Sequence, residues 1–283
     1  MDPSIQIAHR QTTLTTRRQR LLFAQQWVPR NAGRTLVIVH GAGEHSGRYV
    51  ATALRLAQAG WAVQAFDLEG HGRSPGTRGH VAHFQHYVDD VADLVQGACS
   101  SGPPVLLGHS LGGLISTYYA LDHPTAIRAL VLSSPVWGLS LHVPWWKRAV
   151  AYSVAAVWPS LTLNRPHTNG VALSHDPEIA SRYVNDPLVH PKTSVRLYVE
   201  LQQRLRGLPE ALPRLRVPLL ILQAGDDLLV SAEAVQRLFP LAGSLQKRLI
   251  VYPGYYHEVL NEVGKDQVFA DLLQWLMGLD PPN

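Results

Sequence analysis

The chain has 283 residues, 46% of them hydrophobic and 16% charged, which describes a globular protein able to bury a sizeable core and excludes a disordered chain. Its 25 basic and 21 acidic residues leave a formal charge of +4, too mild for a nucleic-acid footprint. One cysteine, Cys99, excludes an intrachain disulfide and a cysteine-ligated metal cluster.

Met1-Asp2-Pro3-Ser4 lacks the basic-then-apolar pattern of a secretory leader. The most apolar span, 149–163, falls short of the roughly 20 residues a bilayer crossing needs and is interrupted by Pro159. These features predict a soluble, cytoplasmic protein with no nucleic-acid partner and no obligate protein partner.

Two alternating stretches, 7–15 and 20–28, predict an antiparallel edge pair, with the basic cluster Arg17-Arg18-Gln19-Arg20 on solvated hairpin surface. The run 35–39 is apolar throughout after Thr35, as a strand buried on both faces requires. It ends in the glycine-rich stretch His40-Gly41-Ala42-Gly43-Glu44-His45-Ser46-Gly47. Residues 48–59 have helical spacing, and 61–66 read as a second buried strand followed by the polar loop 67–74. Tyr87, Val88, Val91, Leu94 and Val95 form the apolar stripe of a helix over 84–98.

The stretch from Val105 to Gly113 is the most informative. An apolar run ends at Gly108, Ser110 follows, and Gly112-Gly113 lead into a helical pattern. Strand and helix crowd so sharp a turn that positions 108 and 112 tolerate little or no side chain, while the serine hydroxyl is projected outward. Strands follow at 129–132, 217–223 and 248–252, with helices at 232–239 and 266–277. Alternating strands and helices predict a mostly parallel sheet covered on both faces, over 1–136 and 213–283. Residues 137–212 break this rhythm, with helix-like stretches, repeated prolines and no strong β run, and predict a helical insertion on top of the sheet.

A serine hydroxyl needs a neighbouring base, and the base an orienting acid. His257 follows the last strand, and the loop after 217–223 carries Asp226-Asp227. Asp227 is the preferred partner and Asp226 a turn former; the order Ser, Asp, His accompanies this elbow type. The tetrahedral oxyanion needs two backbone N–H donors, assigned to Leu111 and to Ala42 between its glycines. His40 and His109 are expected to be structural hydrogen-bonders, and Asp67 and Glu69 to shape their loop. Glu44 and His45 are open as contacts of the leaving group, which the sequence does not decide. His80, His83 and His86 have a spacing that allows a metal site, but a helix-end surface is the preferred reading.

The stretches 40–49, Asp67-Leu68-Glu69-Gly70-His71-Gly72-Arg73-Ser74, Gly108-His109-Ser110-Leu111-Gly112-Gly113 and His257-Glu258, with Asp186-Pro187-Leu188-Val189 in the insertion, together resemble the monoacylglycerol lipases of the α/β-hydrolase fold. The resemblance spans roughly 20–278. It implies an eight-stranded, mostly parallel sheet flanked by helices, with 137–212 as a mobile apolar cap. It matches Ser110, Asp227 and His257 to the family's triad, and Ala42 and Leu111 to its oxyanion donors. It implies hydrolysis of a monoglyceride to fatty acid and glycerol without metal or organic cofactor, and peripheral membrane contact through the cap. Leu111 stands where these lipases commonly carry methionine. Lysophospholipases and broader carboxylesterases of the fold remain open, as does a non-catalytic binding protein.

In the insertion, Trp145-Trp146 stand beside Lys147-Arg148, and no charge follows until Arg165. Such a segment either packs between layers or faces lipid. Trp145, Trp146 and Val150 are the expected substrate contacts of an apolar acyl tunnel.

Overall fold

The computed structural model describes residues 6–98, 102–140, 143–165, 170 and 172–279. The readings made on Met1 to Ser4 and on Cys99 lie outside these residues.

The core elements run β1 (Ile7–Thr15), β2 (Leu21–Pro29), β3 (Arg34–Val39), α1 (Val50–Gln58), β4 (Trp61–Phe66), α2 (Phe84–Ala98), β5 (Val105–His109), α3 (Leu111–Asp122) and β6 (Ala129–Ser133). A second group follows: α4 (Trp145–Val157), β7 (Thr162–Asn164), α5 (Pro177–Asn185), β8 (Lys192–Ser194) and α6 (Val195–Ala211). The core resumes with β9 (Leu219–Ala224), α7 (Ala232–Leu238), β10 (Lys247–Tyr252) and α8 (Lys265–Met277).

Eight strands form one sheet in the order β1-β2-β4-β3-β5-β6-β9-β10. The pairs β1–β2 and β2–β4 are antiparallel, and every other neighbouring pair is parallel. The central strands bury both faces because successive side chains point to opposite sides of a sheet. Val37 and Val39 join the cluster under α2 and α3, while Leu36 and Ile38 join the one under α1 and α8. The two clusters sandwich the sheet, and the carboxyl ends of its parallel strands, where ligands bind in such sheets, lie together at one edge.

Two expectations are met only in part. Arg17, Gln19 and Arg20 are exposed, as expected for a hairpin surface, but the half-buried Arg18 is not merely solvated. Arg18 Nη2 donates to both Asp90 oxygens at 2.8 and 2.9 Å and Nη1 to Glu69 at 3.0 Å. Arg17 pairs with Asp93 and Arg20 with Glu69, so the hairpin is clamped onto α2 and the loop after β4. The partner carboxylates are spread over 69–93, which is why local charge counting missed them. The segment 137–212 is also not purely helical, since β7 and β8 pair antiparallel as a small ribbon. Three-residue strands are too short to leave a periodic signal. Trp137, Leu197 and Leu208 from this segment pack into the cluster under α2 and α3.

Candidate active site

β5 and α3 meet at Ser110, whose φ of 53° and ψ of −117° are strained for a residue with a side chain. The carbonyl of Ser133 accepts the Ser110 N–H at 3.0 Å, and the N–H groups of Gly113 and Val136 donate to the Ser110 carbonyl, each at 3.0 Å. These bonds hold the strain. A Cβ on Gly108 would stand 2.5 Å from the Gly112 carbonyl oxygen and the Ser116 hydroxyl, and one on Gly112 would collide with the carbonyls of Val39 and His40. The two glycines therefore let β5, α3 and β3 approach closely.

The loop after β3 lies against this turn, since a Cβ on Gly41 would be 3.1 Å from the Ser110 Cβ. Its backbone is fixed from three directions. The Gly41 N–H donates to Glu44 Oε1 at 2.5 Å. Leu68 N–H donates to His40 Nε2 at 2.9 Å, so the His40 proton sits on Nδ1, which donates to the Gly41 carbonyl at 2.7 Å. Because a peptide unit is planar and trans, fixing the Gly41 carbonyl also fixes the opposite direction of the Ala42 N–H. The third tie is His190 N–H donating to the Gly43 carbonyl at 2.9 Å. Leu111 is the first residue of α3, so its N–H is one of the helix-start donors without an intrahelical acceptor. Burial lowers the pKa of His40 and keeps its ring neutral.

His257 lies on the loop after β10 and Asp227 on the loop after β9. His257 Nδ1 donates to Asp227 Oδ2 at 2.7 Å, with both side chains almost wholly buried. Asp227 Oδ1 accepts the N–H groups of Leu229 and Val230, each at 2.9 Å, so the carboxylate is held by its own turn. Asp226 is exposed. Burial opposes charge on His257, but the Asp227 carboxylate and its hydrogen bond outweigh it, and the imidazole pKa rises. The same pairing brings the Asp227 pKa down against its own burial. The His257 ring lies 4.7 Å from the His109 ring, centroid to centroid, beside the elbow. Burial and the neighbouring His257 push the His109 pKa down to about 4, so it stays neutral while its Nδ1 lies 3.0 Å from the Ser133 carbonyl.

The open residues now have positions. Glu44 is buried and committed to Gly41 N–H, to the Tyr49 hydroxyl at 2.7 Å and to Arg48 at 2.7 Å. His45 Nε2 meets Asp186 Oδ2 at 2.8 Å, tying the loop to the 137–212 segment. Asp67 takes the N–H groups of Ser46 and Arg73, each at 2.8 Å, and so shapes both loops. His80 Nδ1 meets Ser194 Oγ at 3.0 Å while His83 and His86 pack edge to face. Among the described residues, no group of three or more His, Cys, Asp or Glu is placed to hold a metal.

Trp145, Trp146 and Val150 stand 74%, 52% and 54% exposed on α4, whose one buried residue is Ala155. A cleft of about 590 Å³ opens beside the Asp227 loop, lined by Leu139, Asp226, Glu233 and Tyr256 among others; its lining includes neither Ser110 nor α4. Sequence reading missed Arg48, Glu258, Arg165 and His190. The five-residue stretch from Glu44 to Arg48 carried a signal, an i,i+4 ion pair. Arg165 and His190 carried none, because their partner at Gly43 is more than a hundred positions away.

A strained serine, a paired carboxylate and imidazole, and a backbone-rich loop at the strand ends define a serine hydrolase of the α/β type. The model of the family described as serine aminopeptidase, S33 (Hydrolase_4) matches residues 30–264, and the chain belongs to this family. A monoacylglycerol lipase from Mycolicibacterium smegmatis is 34% identical over 259 residues, covering 89% of this chain and 91% of its own. Phospholipase YtpA of Bacillus subtilis is 34% identical over 239 residues, covering 83% of this chain and 91% of its own. The crystal structure of the Paleococcus ferrophilus monoacylglycerol lipase superposes with a TM-score of 0.82 at 29% identity, over 97% of this chain and all of the other. A Dictyostelium discoideum abhydrolase domain-containing protein, 30% identical, is matched over only 28% of its own length.

Proposed function

We propose that this chain hydrolyses the ester bond of monoacylglycerols, releasing a fatty acid and glycerol. Ser110 Oγ attacks the ester carbonyl carbon while His257 Nε2 takes its proton. Asp227 holds Nδ1 and stabilises the imidazolium. The N–H groups of Ala42 and Leu111 receive the oxyanion; one such donor contributes about 100- to 1,000-fold in rate. Collapse of the tetrahedral intermediate breaks the bond to the glycerol oxygen, which leaves with the proton from His257. Water, deprotonated by the same ring, then attacks the acyl-serine and frees the acid.

The observation that carries this reading is the buried Asp227–His257 pair beside the strained Ser110 turn. The near full-length likeness to a monoacylglycerol lipase supports this choice of substrate class. The test is release of glycerol and oleate from monoolein by wild type and by Ser110→Ala. Turnover lost in the variant supports the reading, and turnover kept in it contradicts the nucleophile. The likeness to Bacillus phospholipase YtpA, equally identical, supports a phospholipid ester as the second reading, a single-chain lysophospholipid being its simplest form. Rates on lysophosphatidylcholine, monoolein and short nitrophenyl esters separate the two and the broader carboxylesterase.

The segment 137–212 acts in this reading as a cap. Its exposed Trp145, Trp146, Val150, Val157 and Trp158, beside Lys147 and Arg148, form an apolar face with a cationic rim. This suits docking at an anionic lipid surface, where those residues deliver the acyl chain. Among the described residues, no helix is long and apolar enough to cross a membrane. Partition onto vesicles of phosphatidylglycerol and phosphatidylcholine tests the docking; no binding at low ionic strength contradicts it.

A further inference from the structure

The loop that carries Ala42 and the loop that carries His257 come from opposite ends of the chain and must keep a fixed separation for chemistry. One side chain spans them. Arg48 Nη1 donates to Glu44 Oε2 at 2.7 Å and to Glu258 Oε1 at 2.6 Å, and its Nη2 donates to Glu258 Oε2 at 2.9 Å. Glu44 in turn takes the Gly41 N–H, one residue before Ala42, and Glu258 directly follows His257. Asn261 Nδ2 donates to Glu258 Oε2 at 2.8 Å, and the Tyr49 hydroxyl donates to Glu44, so both carboxylates are fully engaged. Tyr183 of α5 covers the guanidinium, its ring centroid 4.9 Å away, and the Glu258 N–H donates to the Leu173 carbonyl at 2.8 Å.

We propose that Arg48, clamped between Glu44 and Glu258, is a positioning residue that locks the oxyanion loop to the general base and sets the charge balance beside the imidazole. The inference rests on the ester-hydrolase reading. A buried guanidinium between two carboxylates has a planar, forked geometry that lysine cannot copy. Arg48 faces both carboxylates, while Arg165, beside Gly43, is a second cation on the Glu44 side only. The charged or titratable groups around His257 and the clamp are Asp227 from the β9 loop, Glu258 on its own loop, Glu44, Arg48 and Tyr49 from the stretch after β3, His109 from β5, and Arg165 and Tyr183 from the 137–212 segment. Burial is the largest influence on His257 and lowers its pKa. Asp227, Glu258 and Glu44 raise it. The clamp therefore both fixes geometry and favours the imidazolium that forms as Ser110 loses its proton.

The test combines three variants and two readouts. Arg48→Lys keeps the charge but not the fork; kcat should fall by about 10- to 100-fold with KM nearly unchanged, as expected for a misplacement of about 1 Å. Glu258→Gln removes a negative charge, and the acid limb of kcat/KM should move down by about one pH unit. Arg48→Gln removes the cation and should move that limb up. Opposite movements in the two charge variants are a signature that a merely structural role does not produce. Unmoved limbs, or limbs moved in the same direction, overturn the proposal, as does an Arg48→Lys variant with wild-type kcat. If Arg48→Gln does not fold, the other two variants decide. The second readout is NMR titration of the His257 imidazole in each variant, which needs no turnover. A wild type that cleaves no ester defeats the hydrolase reading, while the imidazole titration still decides whether the clamp sets the base.

Discussion

The loops at the strand ends and the outer face of α4 are built in opposite ways. Around Ser110, Gly41, Asp227 and His257, the polar groups are buried and paired at 2.5–3.0 Å, and the backbone is fixed by side chains from distant parts of the chain. On α4, Trp145 and Trp146 are mostly in solvent, and only Ala155 is buried. Electrostatic catalysis needs donors fixed before charge develops. Capture of a flexible acyl chain needs apolar area, not fixed polar geometry. The first region is therefore a rigid device, and the second is an adaptable surface.

This contrast can be broken experimentally, and the largest effect belongs to the rigid side. Ser110→Ala should lower kcat by about 10⁴- to 10⁶-fold, measured by glycerol release, with the fold unchanged by circular dichroism. Asp227→Asn keeps the shape but lets the wrong His257 tautomer form, and should cost about 10⁴-fold in kcat. Gly112→Ala tests rigidity itself: its methyl meets the carbonyls of Val39 and His40, and unfolding in urea should show a loss of about 3 kcal/mol or more. The smallest effect belongs to the adaptable side. Trp145→Ser with Trp146→Ser should weaken vesicle partition by about tenfold and leave kcat/KM on a soluble short-chain ester unchanged. A loss on the soluble ester equal to that on vesicles would place these tryptophans in the rigid site instead.

The same contrast explains what was legible in the sequence. The strands could be read because burial on both faces leaves apolar runs, and the elbow because crowding forces Gly108 and Gly112. The pairing of Asp227 with His257 could be read because each follows a recognisable strand. The residues of 137–212 that fix the loop after β3 were not legible. His190 reaches Gly43 through its backbone N–H, which any residue but proline supplies, and Arg165 packs on Gly43 from a segment without periodicity. The arginine cluster 17–20 was read correctly as surface, but its ion pairs were not legible because the acidic partners are distant in sequence. Arg48 lay in plain view, but a local i,i+4 pair gives no hint that the same guanidinium also reaches Glu258.

The measurement that tests the central claim most directly is the rate of covalent labelling by a fluorophosphonate as a function of pH, with the modified residue located by mass spectrometry. The account predicts label on Ser110 alone. Because His257 must be neutral to take the serine proton and its pKa is raised by Asp227, the rate should fall on acidification with a midpoint above the ordinary imidazole value of about 6.5. Label on another residue, or a rate that stays flat down to about pH 4, would contradict it.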